Sequence, residues 1–264
     1  MKIIDCHAHV FPDKIAAKAS LNIGAFYNLA MRFDGTVKAL LDVCKKNNIL
    51  KCLVNSVATV PEQVRNINVF IRDCVLESQG QFFGFAALHP GQSPLEIDDE
   101  LSFINECGLK GIKLHPDFQK FGIDDRDAYK IYERIENKLP LLIHTGDSRF
   151  RFSSPLKLKT VLRDFPKLII IAAHFGGWSE WEDAAGALAD IPNVYVDTSS
   201  SLYEISFKKA MEYINMYTPE RVLFGTDYPM WGADKEIEYI NNLPLSEQER
   251  EKIFYKNAER LLDL

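Results

Sequence analysis

Short apolar runs alternate along the chain with longer amphipathic stretches. The runs cover residues 3–6, 52–54, 82–85, 111–114, 141–143, 168–171, 194–196 and 222–224. Runs of this length that are rich in Val, Ile and Phe are typical of buried β-strands. After a first interval of roughly 47 residues, the strand starts lie roughly 25 to 32 residues apart, which is the repeat of successive βα units in a parallel sheet.

The amphipathic stretches between the runs each predict a crossover helix. They cover residues 64–78, 95–107, 125–137, 155–164, 181–189 and 204–217. Eight strand–helix units predict an α/β fold, a closed (β/α)8 TIM-like barrel that occupies residues 1–264 as a single domain. An open doubly wound sheet is the competing architecture, but no GxGxxG turn follows the first strand. The segment 11–36 exceeds an ordinary connection and is expected to form a lid or wall over the barrel mouth.

Composition narrows the class of protein. Hydrophobic residues make up 47% of the 264 positions and charged residues 26%, and the formal net charge is −6. An acidic total disfavours nucleic acid as the main partner. The chain enters a strand at once, without a secretory signal, and lacks an apolar run of ~18 residues, so we expect a cytoplasmic protein without a membrane span. Five scattered cysteines indicate reduced thiols rather than a disulfide framework.

The first strand carries a pair of histidines, His7 and His9. Alternate residues of a strand share a face, with their Cα atoms about 7 Å apart, so both imidazoles can reach one metal ion. Zinc binds histidine nitrogen at ~2.0–2.1 Å, and an open zinc site needs about three protein ligands. Further ligands should therefore follow other strands.

Three more ligand-type residues follow later strands: His144 the fifth, His174 the sixth and Asp227 the eighth. Catalytic groups of barrel enzymes lie at the carboxyl ends of the strands. Each residue alone has an ordinary explanation, as a satisfied polar residue or, for Asp227, a turn residue. Their coincidence at strand ends favours a metal site.

The motifs around these residues resemble those of a known family. They are Ile-Asp-Cys-His-Ala-His at 4–9, Gly-Ile-Lys-Leu-His-Pro at 111–116, Leu-Ile-His-Thr-Gly at 142–146, His-Phe-Gly-Gly at 174–177 and Phe-Gly-Thr-Asp-Tyr-Pro at 224–229. Together with the closing segment 253–262, they resemble the amidohydrolase superfamily. Within it they are similar to the amidohydrolase-2 subgroup, which is related to aminocarboxymuconate-semialdehyde decarboxylase. The resemblance runs from end to end.

The resemblance implies one divalent metal ion, zinc with manganese as the alternative, bound by His7, His9, His144 and Asp227. Asp227 would also act as general base on a metal-activated water. His174 would orient that water or polarise a substrate carbonyl. Asp5 shares the parity of the two histidines, so it is either a hydrogen-bond acceptor behind the ligands or a polar packing residue.

Lys113 and His115 share strand parity, so both face the barrel interior or neither does. Some members of the wider superfamily carboxylate a lysine on the fourth strand to bridge two metals, which makes Lys113 a candidate bridge. The one-metal interpretation is preferred, because the closer subgroup carries this lysine and is similar to single-zinc enzymes. His115 is a candidate for the substrate pocket, and His89 a turn residue.

Substrate-binding candidates follow the fifth strand. Arg149 and Arg151 would form a bidentate clamp on a carboxylate, or else would simply face solvent. Further candidates for the pocket wall are Phe11, Phe26, Tyr27, Arg32 and Trp231.

The leading functional hypothesis is metal-dependent hydrolysis of an amide, ester or lactone in a small, carboxylated molecule. The same subgroup supports nonoxidative decarboxylation and hydration, which are the alternatives. A TatD-like metal-dependent deoxyribonuclease shares the HxH start, but no strand-end Glu follows strands three or four. A metal-binding regulator without activity is disfavoured by the complete ligand set. The expected partners are a small-molecule substrate and a second copy in a homodimer.

Overall fold

The computed structural model describes every residue from Met1 to Leu264 and contains two compact units. The first unit comprises Met1–Asn55, Cys74–Phe83 and Asp197–Leu264. The second comprises Ser56–Asp73 and Gly84–Val196. Each unit is described by itself below.

Eight parallel strands pair in the order of the sequence. They are β1 (Ile4–His9), β2 (Lys51–Asn55), β3 (Phe82–Ala87), β4 (Gly111–Leu114), β5 (Leu141–Ile143), β6 (Ile170–Ala172), β7 (Val194–Asp197) and β8 (Val222–Leu223). The last strand meets the first, since the amide of Cys6 donates to the carbonyl of Phe224 at 2.8 Å. Each of the eight predicted runs is a strand, and the predicted (β/α)8 fold is confirmed.

Helices separate the strands. They are α1 (Asp13–Tyr27), α2 (Val37–Asn47), α3 (Val64–Glu77), α4 (Pro94–Glu106), α5 (Pro116–Gln119), α6 (Arg126–Ile135), α7 (Pro155–Asp164), α8 (Trp181–Leu188), α9 (Phe207–Tyr217), α10 (Ala233–Asn242), α11 (Glu247–Glu251) and α12 (Asn257–Leu262). A π-helical turn, Lys252–Lys256, joins the last two. All six predicted crossover helices are present. The helix α7 begins and ends at the predicted residues. Its start is set by Pro155 at the first helical position, where a backbone N–H would make no hydrogen bond within the helix and its absence costs nothing.

The segment 11–36, expected as a lid or wall, contains the helix α1. Its buried residues are Ala16, Ser20 and Gly24, spaced four apart, and these small side chains give no apolar stripe that a hydrophobic pattern would reveal. After the helix, the amide of Phe33 donates to the carbonyl of Pro229 at 3.1 Å. The hydroxyl of Tyr228 donates to the carbonyl of Thr36 at 2.9 Å. The segment therefore packs on the turn that follows β8.

In the second unit, Asn68 joins α3 to β3 and α4. Its side-chain oxygen accepts the amide of Ala87 at 2.7 Å, and its side-chain nitrogen donates to the Ala87 carbonyl and to Glu100 Oε2, each at 3.0 Å. One buried amide thus satisfies three polar groups on two other elements.

No helix of the structure combines the length and the apolar character that a bilayer crossing requires.

Candidate metal centre

Three of the predicted ligands converge in the first unit. The Nε2 atoms of His7 and His9 lie 3.2 Å apart, and Asp227 Oδ1 lies 3.6 Å from the first and 3.3 Å from the second. His7 and His9 end β1, whereas Asp227 lies in the turn after β8. The Asp227 amide donates to the His7 carbonyl at 2.8 Å, and its φ of 58° places it in the left-handed region. This backbone bond holds the carboxylate beside the two rings.

The three residues fit a divalent cation. A tetrahedral ion at ~2.0–2.1 Å from each ligand would separate the ligand atoms by roughly 3.3–3.4 Å, close to the distances between them. The facing groups are two imidazole nitrogens and a carboxylate oxygen. A cation is the natural partner of such acceptors, because lone pairs at this separation repel one another.

His7 is held in the tautomer that metal binding needs. Its Nδ1 lies 3.0 Å from Asp197 Oδ2 and 3.1 Å from Ser199 Oγ, and both side chains are buried. A carboxylate only accepts hydrogen bonds, so Nδ1 carries the proton and Nε2 keeps its lone pair. Asp197 was not predicted as a site residue, although it ends β7 as Asp227 follows β8.

Ser200 orients the other oxygen of Asp227. The serine hydroxyl donates to Asp227 Oδ2 at 2.5 Å and accepts the indole N–H of Trp231 at 2.8 Å. Asp227 Oδ1 is left to face the histidines, and the side chain remains 13% exposed. Ser200 was not predicted, because a serine after a strand carries no distinguishing signal.

Asp5 supports the backbone rather than the imidazoles. Its Oδ1 accepts the amides of His7 and Thr226, each at 3.1 Å, and its Oδ2 accepts the Thr226 hydroxyl at 2.6 Å. Burial raises the pKa of Asp5 to about 7, although these hydrogen bonds oppose the rise. Asp5 thus accepts from the backbone beside His7 and from Thr226, and a role as acceptor behind the ligating imidazoles stays a prediction.

The second unit brings His144 and His174 together. Nδ1 of His144 lies 3.0 Å from Nε2 of His174, and both side chains are buried. His174 and Phe175 have φ values of 62° and 51°, which non-glycine residues seldom adopt. Gly146, with φ of 78°, permits the close approach of the two loops, since an added Cβ would lie 2.5 Å from the backbone of Gly177. That His144 and His174 act with the triad of His7, His9 and Asp227 stays a prediction.

Two buried acids accompany His144. Its Nε2 lies 3.6 Å from Asp117 Oδ2, and His144, Asp117 and Asp147 offer ligand atoms that all lie within 4.8 Å of one another. Burial raises the pKa of Asp117 to about 6. Neither acid was singled out from the sequence, although Asp147 lies only four residues after the end of β5.

Asp147 binds one of the two arginines predicted as a clamp. Arg149 Nε donates to Asp147 Oδ1 at 2.9 Å, and a terminal nitrogen of Arg149 donates to Oδ2 at 2.8 Å. The guanidinium is therefore engaged in a bidentate pair within the protein. Arg151 is exposed, in keeping with the solvent-facing alternative.

Lys113 and His115 are both buried at β4 and just after it. The His115 ring stacks on that of His144, with centroids 4.1 Å apart and planes 7° apart, and on Phe118 at 3.9 Å. Its Nδ1 also accepts the amide of Phe118 at 3.4 Å, capping α5. His89 is the predicted turn residue, because its carbonyl accepts the amide of Gln92 at 3.0 Å.

Known proteins resemble the chain along most of its length. A γ-resorcylate decarboxylase from Polaromonas sp. strain JS666 is 25% identical, over 77% of this chain and 77% of the relative. A 2-keto-4-carboxy-3-hexenedioate hydratase from Sphingobium sp. strain SYK-6 is 26% identical, over 60% of this chain and 58% of the relative. Both relatives are enzymes that are not named as hydrolases.

A solved structure shows the same fold. It is a dihydroxybenzoic acid decarboxylase from Polaromonas sp. JS666 with bound manganese and the inhibitor 2-nitroresorcinol. The identity is 18%, the TM-score 0.78, and the match covers 100% of this chain and 97% of the other. The family comparison matches residues 4–264. The chain belongs to the amidohydrolase family, Amidohydro_2.

Proposed function

We propose that this protein is a metal-dependent lyase that removes carbon dioxide from a small hydroxylated aromatic acid without an oxidant. This replaces hydrolysis, our leading hypothesis from sequence, with its alternative. Support comes from the relatives, a decarboxylase and a hydratase, and from the geometry around Asp227. The key observation is a partly exposed carboxylate with one oxygen beside the two histidines and the other fixed by Ser200.

Decarboxylation needs two things from the protein. The carbon–carbon bond to the substrate carboxylate breaks, its electron pair stays on the ring carbon, and a proton must reach that carbon as carbon dioxide leaves. Negative charge develops on the ring during this step. A bound divalent ion supplies positive charge that holds anionic oxygens and stabilises such charge.

Residues of the first unit provide the proton and hold the candidate ligands in place. Asp227 is proposed to take a proton from solvent and pass it to the ring carbon that loses the carboxyl group, and Ser200 keeps its carboxylate in one orientation through the 2.5 Å hydrogen bond. Asp197 fixes the His7 ring, so the ring does not rotate away. His174, in the second unit, is proposed as a further acid–base group, because its Nε2 lies 3.0 Å from Nδ1 of His144 and one proton can be hydrogen-bonded between the two nitrogens.

The experiment supplies Mn²⁺ to the metal-free protein and then a panel of ortho-hydroxylated benzoates, with γ-resorcylate first. Carbon dioxide and the decarboxylated phenol should appear in equal amounts. In deuterated water, one deuterium should occupy the vacated ring carbon. Mass spectrometry of the product measures this directly.

Asp227→Asn should abolish turnover, because the amide cannot deliver the proton. Asp42→Asn is the matched control, since Asp42 is exposed and pairs only with Lys38 at 3.3 Å. A product that keeps the carboxyl carbon and gains water would contradict decarboxylation and support hydration or hydrolysis. Muconate-like acids and lactones should be tested in parallel for that outcome.

We further infer that the ion is manganese or zinc, because two imidazole nitrogens and a carboxylate suit either. The bound manganese of the structural relative favours testing that ion first. We keep the expectations of a cytoplasmic location, a homodimer and no role in nucleic-acid binding as proposals. Gel filtration with light scattering tests the dimer.

A further inference from the structure

A cavity of about 620 Å³ lies in the first unit, beside the turn that joins β8 to α10. Its walls include Arg32 before α2, Tyr203 after β7, Trp231 after β8, and Glu236 and Tyr239 on α10. Arg32 and Trp231 are two of the five residues that the sequence singled out as candidates for a pocket wall. Ligand cavities of proteins run from ~300 to ~1,000 Å³, so a small organic molecule fits.

Glu236 is the unusual member of this wall. The residue is 4% exposed, and its Oε2 is buried without a hydrogen-bond partner. Most buried polar atoms in proteins are paired, and an unpaired one costs about 1–3 kcal/mol. Burial raises the pKa of Glu236 well above its ordinary value, and the charges of Asp5 and Asp227 add to the rise. The carboxyl therefore lacks a donor that a ligand would supply.

The cationic side chains beside the cavity do not donate a hydrogen bond to Glu236, because each pairs with another carboxylate. Arg32 lies 2.9 Å from Asp234, and Lys235 lies 2.8 Å from Glu238. The Arg32 guanidinium packs directly on Gly232, where an added Cβ would lie 2.5 Å from its Cζ. Glu236 is thus the acid of this wall whose ionised form an incoming cation would stabilise.

The other walls are aromatic. The rings of Tyr203 and Trp231 stack with centroids 4.4 Å apart and planes 19° apart. Phe207 and Tyr239 meet edge to face at 4.6 Å. The faces of aromatic rings attract organic cations, by about 0.5–2 kcal/mol for each contact. A buried carboxyl beside such rings is chemically complementary to an amine.

We propose that this cavity binds a small organic ammonium ion, whose N–H groups donate to the Glu236 carboxylate and whose body lies against Tyr203 and Trp231. The site requires no ligand of the candidate metal centre. It therefore holds whether or not the protein is a decarboxylase.

The test uses benzylamine as the probe, at a pH where it is charged, with isothermal titration calorimetry on the full chain. Benzylamine should bind at least tenfold more tightly than the neutral benzyl alcohol, because charged hydrogen bonds are stronger than neutral ones. It should also change the tryptophan fluorescence of the wild-type protein. Trp231→Phe should lose that change, which locates the probe.

Glu236→Gln should weaken benzylamine binding at least tenfold, while Glu238→Gln, the matched control at the rim, should leave it unchanged. Equal binding by Glu236→Gln, equal binding of benzyl alcohol to the wild type, or no binding of benzylamine would each overturn the proposal. Tighter binding of benzoate than of benzylamine would also overturn it, since that would indicate an anion site at Arg32 and Lys235. The two comparisons on the wild-type protein stand even if the Glu236 variant does not fold.

Discussion

At the scale of the residue, the candidate metal centre depends on side chains that do not face the ion. Asp197 sets the tautomer of His7, and Ser200 sets which oxygen of Asp227 turns toward the histidines. His7, His9 and Asp227 could be named from the sequence as candidate ligands, because a histidine pair on one strand and an acid after another have a chemical meaning in combination, and the structure brings these three together. Ser200 was not, because its role depends on a contact with a residue 27 positions away.

Asp197→Asn should weaken Mn²⁺ binding by about 10- to 100-fold, the usual cost of losing the acceptor behind a ligating histidine. The amide can donate to Nδ1 and so favour the wrong tautomer. Competition against a fluorescent chelator measures the affinity. Asp42→Asn should bind as the wild type does, and an unchanged affinity in Asp197→Asn would show that the acceptor is dispensable.

Glu236 makes stability depend on pH. Its folded pKa is raised above the unfolded value of about 4.3, so between the two values the unfolded chain binds fewer protons and the folded state loses stability as pH rises. Each unit of the shift corresponds to about 1.4 kcal/mol. Glu236→Gln should therefore be more stable than the wild type by a margin that grows from pH 5 to pH 8 in urea unfolding without ligand. A difference in stability between Glu236→Gln and the wild type that does not change with pH would show that the pKa of Glu236 is not raised in the folded protein.

At the scale of the element, prediction succeeded where the apolar pattern alone specifies the structure. The boundaries of α7 follow from its proline start and apolar spacing. The helix α1 was missed because it packs through Ala16, Ser20 and Gly24, whose small side chains look neutral in a hydrophobic pattern. Whether such small residues are buried depends on which elements pack against them, and the local sequence does not contain that information.

The connection of α3 to β3 and α4 through Asn68 gives a prediction at this scale. Asn68→Ala should lower the free energy of unfolding by about 2–4 kcal/mol, because the Ala87 amide and Glu100 Oε2 each lose the hydrogen bond that Asn68 makes with them. Denaturant unfolding measures the loss. Asn22→Ala, on the exposed face of α1, is the matched control and should change stability by less than about 0.5 kcal/mol. Equal effects of the two changes would contradict the role of Asn68.

At the scale of the whole molecule, the spacing of apolar runs was enough to predict eight parallel strands in sequential order. The reaction could not be predicted in the same way. Two histidines and an aspartate suit hydrolysis, hydration and decarboxylation alike, and the choice depends on which substrate the surrounding residues accept. The motifs do not distinguish these reactions, whereas the similarity to a decarboxylase and a hydratase favours a lyase over a hydrolase. The single domain over 1–264 and the four-ligand set with His144 stay predictions.

We propose that one divalent ion, bound by His7, His9 and Asp227, supports decarboxylation. Titrating the metal-free protein with Mn²⁺ while recording carbon dioxide release from γ-resorcylate tests it most directly. We predict no release without metal, a linear rise, and a plateau at about one ion per chain. Release from the metal-free protein, or none at any loading with any acid of the panel, would contradict it.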